Sequence, residues 1–385
     1  MDGRDSSNIK PLFTSYLMGG FECSTHRRSD GRRLDLIEAT CHERFAVEDY
    51  RRLADLGMTT ARDGLRWHLI ETAPGKFDFS SVEAQIDAAE KAGVNVMWDL
   101  FHYGYPDHLD IFSPEFVDSF ANFAKAFAKF YVAKTRKAPI VLPVNEISFF
   151  SYVAGDVGHF YPYAVDRGVE LKRQLVRAAI AGIRATWEVA PRARIISAEP
   201  AVHVIPRADD PEMFAEAESF RLAQYQAFDM LTGRIEPELG GRPEYLDIIG
   251  INYYPHNQWF YPDREMIPLS DESYKPLHLI LLEVYGRYRR TMFISETGTE
   301  DDVRAEWFDY VALECETAKQ RGVDLRGICL YPIVDHPGWV DERHCRNGLW
   351  GYCNENGERK IHAPLVESFK MIGEPKKARS AMSGK

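Results

Sequence analysis

At 385 residues with a formal charge of −11, the chain is too acidic for nucleic acid or an anionic membrane surface to be its main partner. It is long enough for two or three average domains or for one large α/β barrel. Residues 1–10 are polar and charged and lack the apolar stretch of a secretory signal, and no run nears the roughly 18 apolar residues of a membrane span. The six cysteines are scattered, with no Cys-x-x-Cys spacing, so zinc and redox motifs are not expected and reduced thiols in a cytoplasmic protein are.

In chain order, a first strand is predicted over 15–23, with Glu22 at its polar end, and the basic stretch 27–33 follows. A helix over 47–56 puts Val47, Tyr50, Leu53 and Ala54 on one face, with Gly57 as its stop. Strand two covers 59–67. Ser80 and Glu83 have the spacing of a capping box for a helix closed by Gly93. Strand three covers 94–102, and Ser113-Pro114 opens a long helix whose phenylalanines at 116, 120, 123, 127 and 130 form a core stripe. Strand four runs into Asn145-Glu146, and a long aromatic loop and a helix over 169–189 come next. Strand five (193–199), a helix from Asp210-Pro211 to Leu231, strand six (246–254) and a helix over 277–287 lead to strand seven, Met292-Phe293-Ile294-Ser295-Glu296. A helix marked by Val303, Trp307, Tyr310, Val311 and Ala318, strand eight (326–334) and a helix over 363–371 complete the series.

The strands are apolar throughout instead of alternating, as in a parallel sheet covered on both faces. Eight strand–helix units in one chain predict an α/β fold, a single (β/α)8 TIM barrel. A doubly wound open sheet is the rival, and it lacks the Gly-x-Gly-x-x-Gly turn after the first strand. One barrel over 12–373 is expected, flanked by polar tails at 1–11 and 374–385.

Barrel strands converge at their C-terminal ends. That gathers Arg62, Asp63, His102, Asn145, Glu146, Glu199, Asn252, Tyr254, Glu296, Asp335 and His336 at one mouth. Two glutamates ending two apolar strands, Glu146 and Glu296, suit glycosidic-bond cleavage. One carboxylate attacks the anomeric carbon or activates water, while the other carboxyl protonates the leaving oxygen. The attacking group needs a cation and donors beside it, for which Arg62, Tyr254 and Asn145 are available. A lone His102 without a second ligand at metal spacing reads as a sugar contact.

Several segments in order resemble glycoside hydrolase family 1, the retaining β-glucosidase-type barrels of clan A. They are Ala61-Arg62-Asp63-Gly64-Leu65-Arg66-Trp67, Leu100-Phe101-His102-Tyr103 (Tyr103 standing for a tryptophan), Val144-Asn145-Glu146-Ile147 (Ile147 standing for a proline), Ile248 through Tyr254, Phe293-Ile294-Ser295-Glu296-Thr297-Gly298, and Tyr331 to Trp339 followed by Arg346-Asn347-Gly348-Leu349. The resemblance implies a retaining hydrolase without cofactor or metal. In it Glu296 is the nucleophile, Glu146 the acid/base, and Arg62, Asn145 and Tyr254 support them. It sets His102, Asn252, Trp339, Glu22 and Arg27 against a carbohydrate or glycoside substrate. A transglycosylase using the same residues, or a non-catalytic carbohydrate-binding barrel, fits the same motifs.

The departures fall on the sugar grip. Arg27 stands where the family carries a glutamine, and Gly338 where it carries a glutamate. The cluster Arg27, Arg28, Arg32 and Arg33 either reads an anionic sugar or is a solvated loop. Glu199, in Ala-Glu-Pro, mimics the acid motif without its Asn and is expected to be a decoy or a site-lining residue, not the acid.

Overall fold

The computed structural model describes residues 12–372; the expected tails lie outside them. Eight parallel strands close a barrel: β1 Leu17–Gly20, β2 Thr60–Gly64, β3 Asn95–Asp99, β4 Ile140–Leu142, β5 Arg194–Pro200, β6 Ile248–Asn252, β7 Thr291–Thr297 and β8 Leu325–Leu330. Each pairs with its sequence neighbours, and Leu17 opposite Ile328 shuts the ring. The expected (β/α)8 barrel is therefore the observed fold. Among the described residues no helix is long and apolar enough to cross a membrane.

Two apolar layers hold it. Inside the barrel, Met18, Met97, Leu142, Ile196, Ile248, Phe293, Cys329 and Tyr331 pack below the mouth. Gly20 is required there, because a Cβ on it would lie 2.2 Å from the Tyr331 ring. Outside, the helices pack on the strands. Phe116, Phe120, Phe123 and Phe127 of the helix Pro114–Thr135 are fully buried, and Trp67 stacks on Phe123 at 5.2 Å.

Several local expectations change. The first long helix is His42–Asp55, and it buries Ala46, Tyr50 and Leu53 while Val47 is 44% exposed. The helix Ser80–Ala92 has no capping box: Asp78 accepts the Ser80 N–H at 2.9 Å and takes that role. The aromatic stretch after β4 is not a loop throughout, since Ile147–Phe150 is helical and continues into the wide turns of Ser151–Asp156. The single helix expected up to Leu231 is broken into Phe214–Leu222 and Gln226–Leu231 with tighter turns beside them.

Candidate active site

Glu296 owes its aim to an irregularity. β7 pairs with β6 in register from Thr291 to Ile294, then shifts so that Glu296 stands opposite Asn252. A bulge of this kind re-aims a side chain. The Glu296 carboxylate accepts from Arg62 Nη1 at 2.7 Å and from the Tyr254 hydroxyl at 2.8 Å. Glu146 is the residue after Asn145 at the end of the β4 segment, in the left-handed region at φ 46°. That conformation is strained for a glutamate, and such strain gathers at functional sites. Its Oε1 accepts from Asn252 Nδ2 at 2.9 Å and its Oε2 from the Tyr103 hydroxyl at 2.6 Å.

The two carboxylates thus belong to one network. Arg62 binds Glu296 with one arm and Asn145 Oδ1 with the other, at 2.8 Å, and Asn252 Nδ2 reaches Glu146 while lying 3.4 Å from the same Asn145 oxygen. Asn252 Oδ1 in turn accepts from the Ser295 hydroxyl at 2.6 Å. Glu146 is 8% and Glu296 5% exposed, so both carboxylates sit almost out of water.

Burying Arg62 completely is costly unless every donor is matched. Asp99 supplies the match, taking Arg62 Nη2 at 2.6 Å and Nε at 3.0 Å, and Arg62 also lies 5.0 Å from the Tyr331 ring. Burial opposes the arginine's charge, but Asp99 and Glu296 outweigh it and hold Arg62 firmly protonated. For Glu296 burial is the largest influence and pushes the carboxyl up; Arg62 pulls it down, Glu146 pushes it up again, and it comes to about 7. Burial, then the Glu296 charge, raises the Tyr254 phenol well above its ordinary range, so it stays a donor.

His102 is buried, with Nδ1 2.9 Å from Asp99, while Asn145 Nδ2 lies 3.1 Å from its Nε2. Burial works against a charge on His102, but the Asp99 bond and Glu22 outweigh it and raise it above the ordinary imidazole range. Glu22 is buried beside it, 3.8 Å from Nε2, and accepts the Ser24 N–H. Trp339 packs among His26, Tyr103, Phe149 and Phe160 with centroids 5.5 to 6.1 Å away.

Arg27 is the expectation that fails. Its guanidinium pairs with Asp107 and the Gly31 carbonyl on a surface loop and is not at the site. Its neighbours are spent likewise: Arg28 and Arg32 share Asp30 and Glu342, and Arg33 takes Asp107 and the Thr25 carbonyl. The four arginines are thus paired with three carboxylates, Asp30 within the run and Asp107 and Glu342 from other loops. Asp63 also leaves the mouth. Successive residues of a strand face opposite sides, so with Arg62 inward Asp63 turns out to His42, Tyr50 and Gln85. Asn252 and Asn145 bond to protein partners in this network, and Glu199 accepts the Ser148 N–H at 3.0 Å. Asp335 holds the Gly348 N–H and His344, and His336 lies 3.0 Å from Asn347.

Sequence reasoning passed over Asp99 and the hydroxyl of Tyr103. Asp99 had one signal, a carboxylate ending an apolar strand, as with Glu296. Cys23, Asp99 and His102 have ligand atoms within 4.8 Å of one another. Asp99, however, already has both oxygens on the Arg62 guanidinium, which fills the place a cation would take.

The chain is thus a closed (β/α)8 barrel with two buried glutamates at its strand ends, one of them held by an arginine and a tyrosine. No protein-family model matches the chain. Among solved structures it is similar to a β-glucosidase from Thermotoga maritima in complex with glucoimidazole, with TM-score 0.77 and 16% identity over 93% of this chain and 97% of that one. The family 1 β-glucosidase from Thermotoga maritima gives TM-score 0.74 and 16% identity over 95% and 99%, and the castanospermine complex of that organism's β-glucosidase gives 0.75 and 16% over 94% and 98%. At that identity the likeness establishes the fold.

Proposed function

We propose that the protein is a retaining β-glycosidase working by double displacement. Glu296 attacks the anomeric carbon and forms a glycosyl-enzyme, while the electron pair of the broken C–O bond goes to the leaving oxygen, to which Glu146 gives a proton. Glu146 then takes a proton from water, whose oxygen displaces Glu296. Arg62 and Tyr254 orient the nucleophile and favour its ionised form. Asn145 and Asn252 are positioning residues that tie the carboxylates together. His102, Glu22 and Trp339 are the proposed sugar contacts.

The observation that carries this reading is the unequal dressing of the pair: Glu296 has a cation and a phenol, Glu146 only neutral donors. The sugar grip departs from that of plain glucosidases. At position 338 a Cβ would lie 2.1 Å from Asp341 Oδ1, so a sugar-gripping side chain there would first have to displace that exposed carboxylate. A soluble, non-transmembrane enzyme of the cytoplasm is the matching setting.

The test is Glu296→Gly with an activated aryl β-glycoside. Turnover is expected to vanish and to return with azide, giving the α-glycosyl azide. A variant that keeps its turnover, or azide rescue by Glu146→Gly alone, contradicts the assignment.

A further inference from the structure

Glu146 stands at the N-cap position of the short helix Ile147–Phe150, yet its side chain does not cap that helix. An N-cap side chain ordinarily accepts the N–H of the second or third helical residue. The two carboxylate oxygens of Glu146 are turned into the site instead, onto Asn252 and Tyr103. The backbone that turns them there lies in the left-handed region, which a glutamate keeps only where its surroundings hold it. The first N–H groups of the helix must then find acceptors elsewhere.

Two successive residues of β5 supply acceptors. The Ala198 carbonyl takes the Glu146 N–H at 3.0 Å, and Glu199 Oε2 takes the Ser148 N–H at 3.0 Å. One strand thus grips the chain at the strained residue and two residues beyond it. Ile196 and Ala198 pack inside the barrel, so alternation puts Glu199 on the other face of the strand, where it is 2% exposed. Lys172, whose charge reaches Glu199 from the helix Gly168–Val189, gives its own hydrogen bond to Gln226 at 2.7 Å. Burial pushes the Glu199 carboxyl up to about 8. Near neutral pH the group therefore works mainly as an uncharged acceptor, which a glutamine amide can copy.

We infer that Glu199 is a positioning residue that replaces the N-cap side chain Glu146 withholds, and so fixes the turn that aims Glu146 at the leaving oxygen. The aim rests on the glycosidase reading above; the capping does not.

Two variants separate the acceptor from the bulk of the side chain. Glu199→Leu removes the acceptor and Glu199→Gln keeps it. Amide exchange, read by mass spectrometry on the peptide carrying residues 147–156, should be about tenfold faster in Glu199→Leu, the worth of one hydrogen bond, and should return to the native rate in Glu199→Gln. Kinetics on aryl β-glycosides of falling phenol acidity give the second readout, because a poor leaving group needs the acid and a good one does not. Glu199→Leu should lose about tenfold more kcat/KM on the poorest leaving group than on the best, a part of the roughly 10²–10⁴ that general acid catalysis supplies. Glu199→Gln should recover most of that loss. Unchanged exchange in Glu199→Leu, an equal loss on every leaving group, or a Glu199→Gln variant as impaired as Glu199→Leu overturns the inference. Should Glu199→Leu not fold, Glu199→Asp, whose shorter side chain draws the acceptor away from Ser148, takes its place with the same outcomes. If the native chain cleaves no aryl glycoside, the glycosidase reading fails, and the exchange rates still decide whether Glu199 holds the turn.

Discussion

The surroundings of Glu296 and Glu146 differ in kind. Glu296 sits against a buried arginine that Asp99 anchors from behind, and a phenol completes its hydrogen bonds. Among the described residues Glu146 has no cation as a hydrogen-bond partner, only an amide and a phenol, on a backbone twisted to positive φ. Placing a full charge at one carboxylate and neutral dipoles at the other is how one site separates two acids into different tasks. The contrast also shows what a charge run means. Four arginines in the 27–33 loop pair with Asp30, Asp107 and Glu342, while Arg62 inside the barrel is the one of these five that reaches Glu296.

Removing Arg62 breaks the contrast outright. Arg62→Met leaves Asp99 and Glu296 buried without their cation, and losing one partner of a buried pair costs about 3–5 kcal/mol. Denaturant unfolding should show a fall of that order, and a midpoint within error of the native chain would contradict the role of Asp99 as an anchor.

Acidity sharpens the contrast with a smaller effect. The Glu296 carboxyl lies at about 7 against an ordinary 4.5, burial being the chief cause. A raised carboxyl holds its proton in the folded chain where the unfolded chain has lost it. Ionising this group therefore costs stability as pH rises from about 4.5 to about 7, the full cost remaining above that. On the proposed mechanism activity has the opposite dependence: Glu296 must be ionised to attack, so kcat/KM should drop as pH falls through about 7. The apparent value belongs to the coupled pair. A profile flat from pH 5 to 8 would count against Glu296 as the group that must ionise.

The barrel was legible because most of its strands are short apolar runs between helical segments, and Glu296, Glu146, Arg62 and Tyr254 stood out because each is a polar residue at or near the end of a predicted strand. Tyr103 was seen only as a substitution. Its hydroxyl meets Glu146 through a turn at positive φ that no local pattern announces. Asp63 was misplaced because a list of strand-tip residues ignores their two-residue alternation, and Arg27 because its partner Asp107 is 80 positions away. The capping box failed for a local reason, since Asp78 competes for the same N–H group.

The central claim is that Glu296 bonds the sugar. Incubation with an activated 2-deoxy-2-fluoro-β-glycoside, followed by peptide mass spectrometry, should find one fluoroglycosyl group per chain on the peptide carrying Glu296, with inactivation in step. Label on Glu146 or elsewhere, or none despite turnover of the parent glycoside, would contradict it.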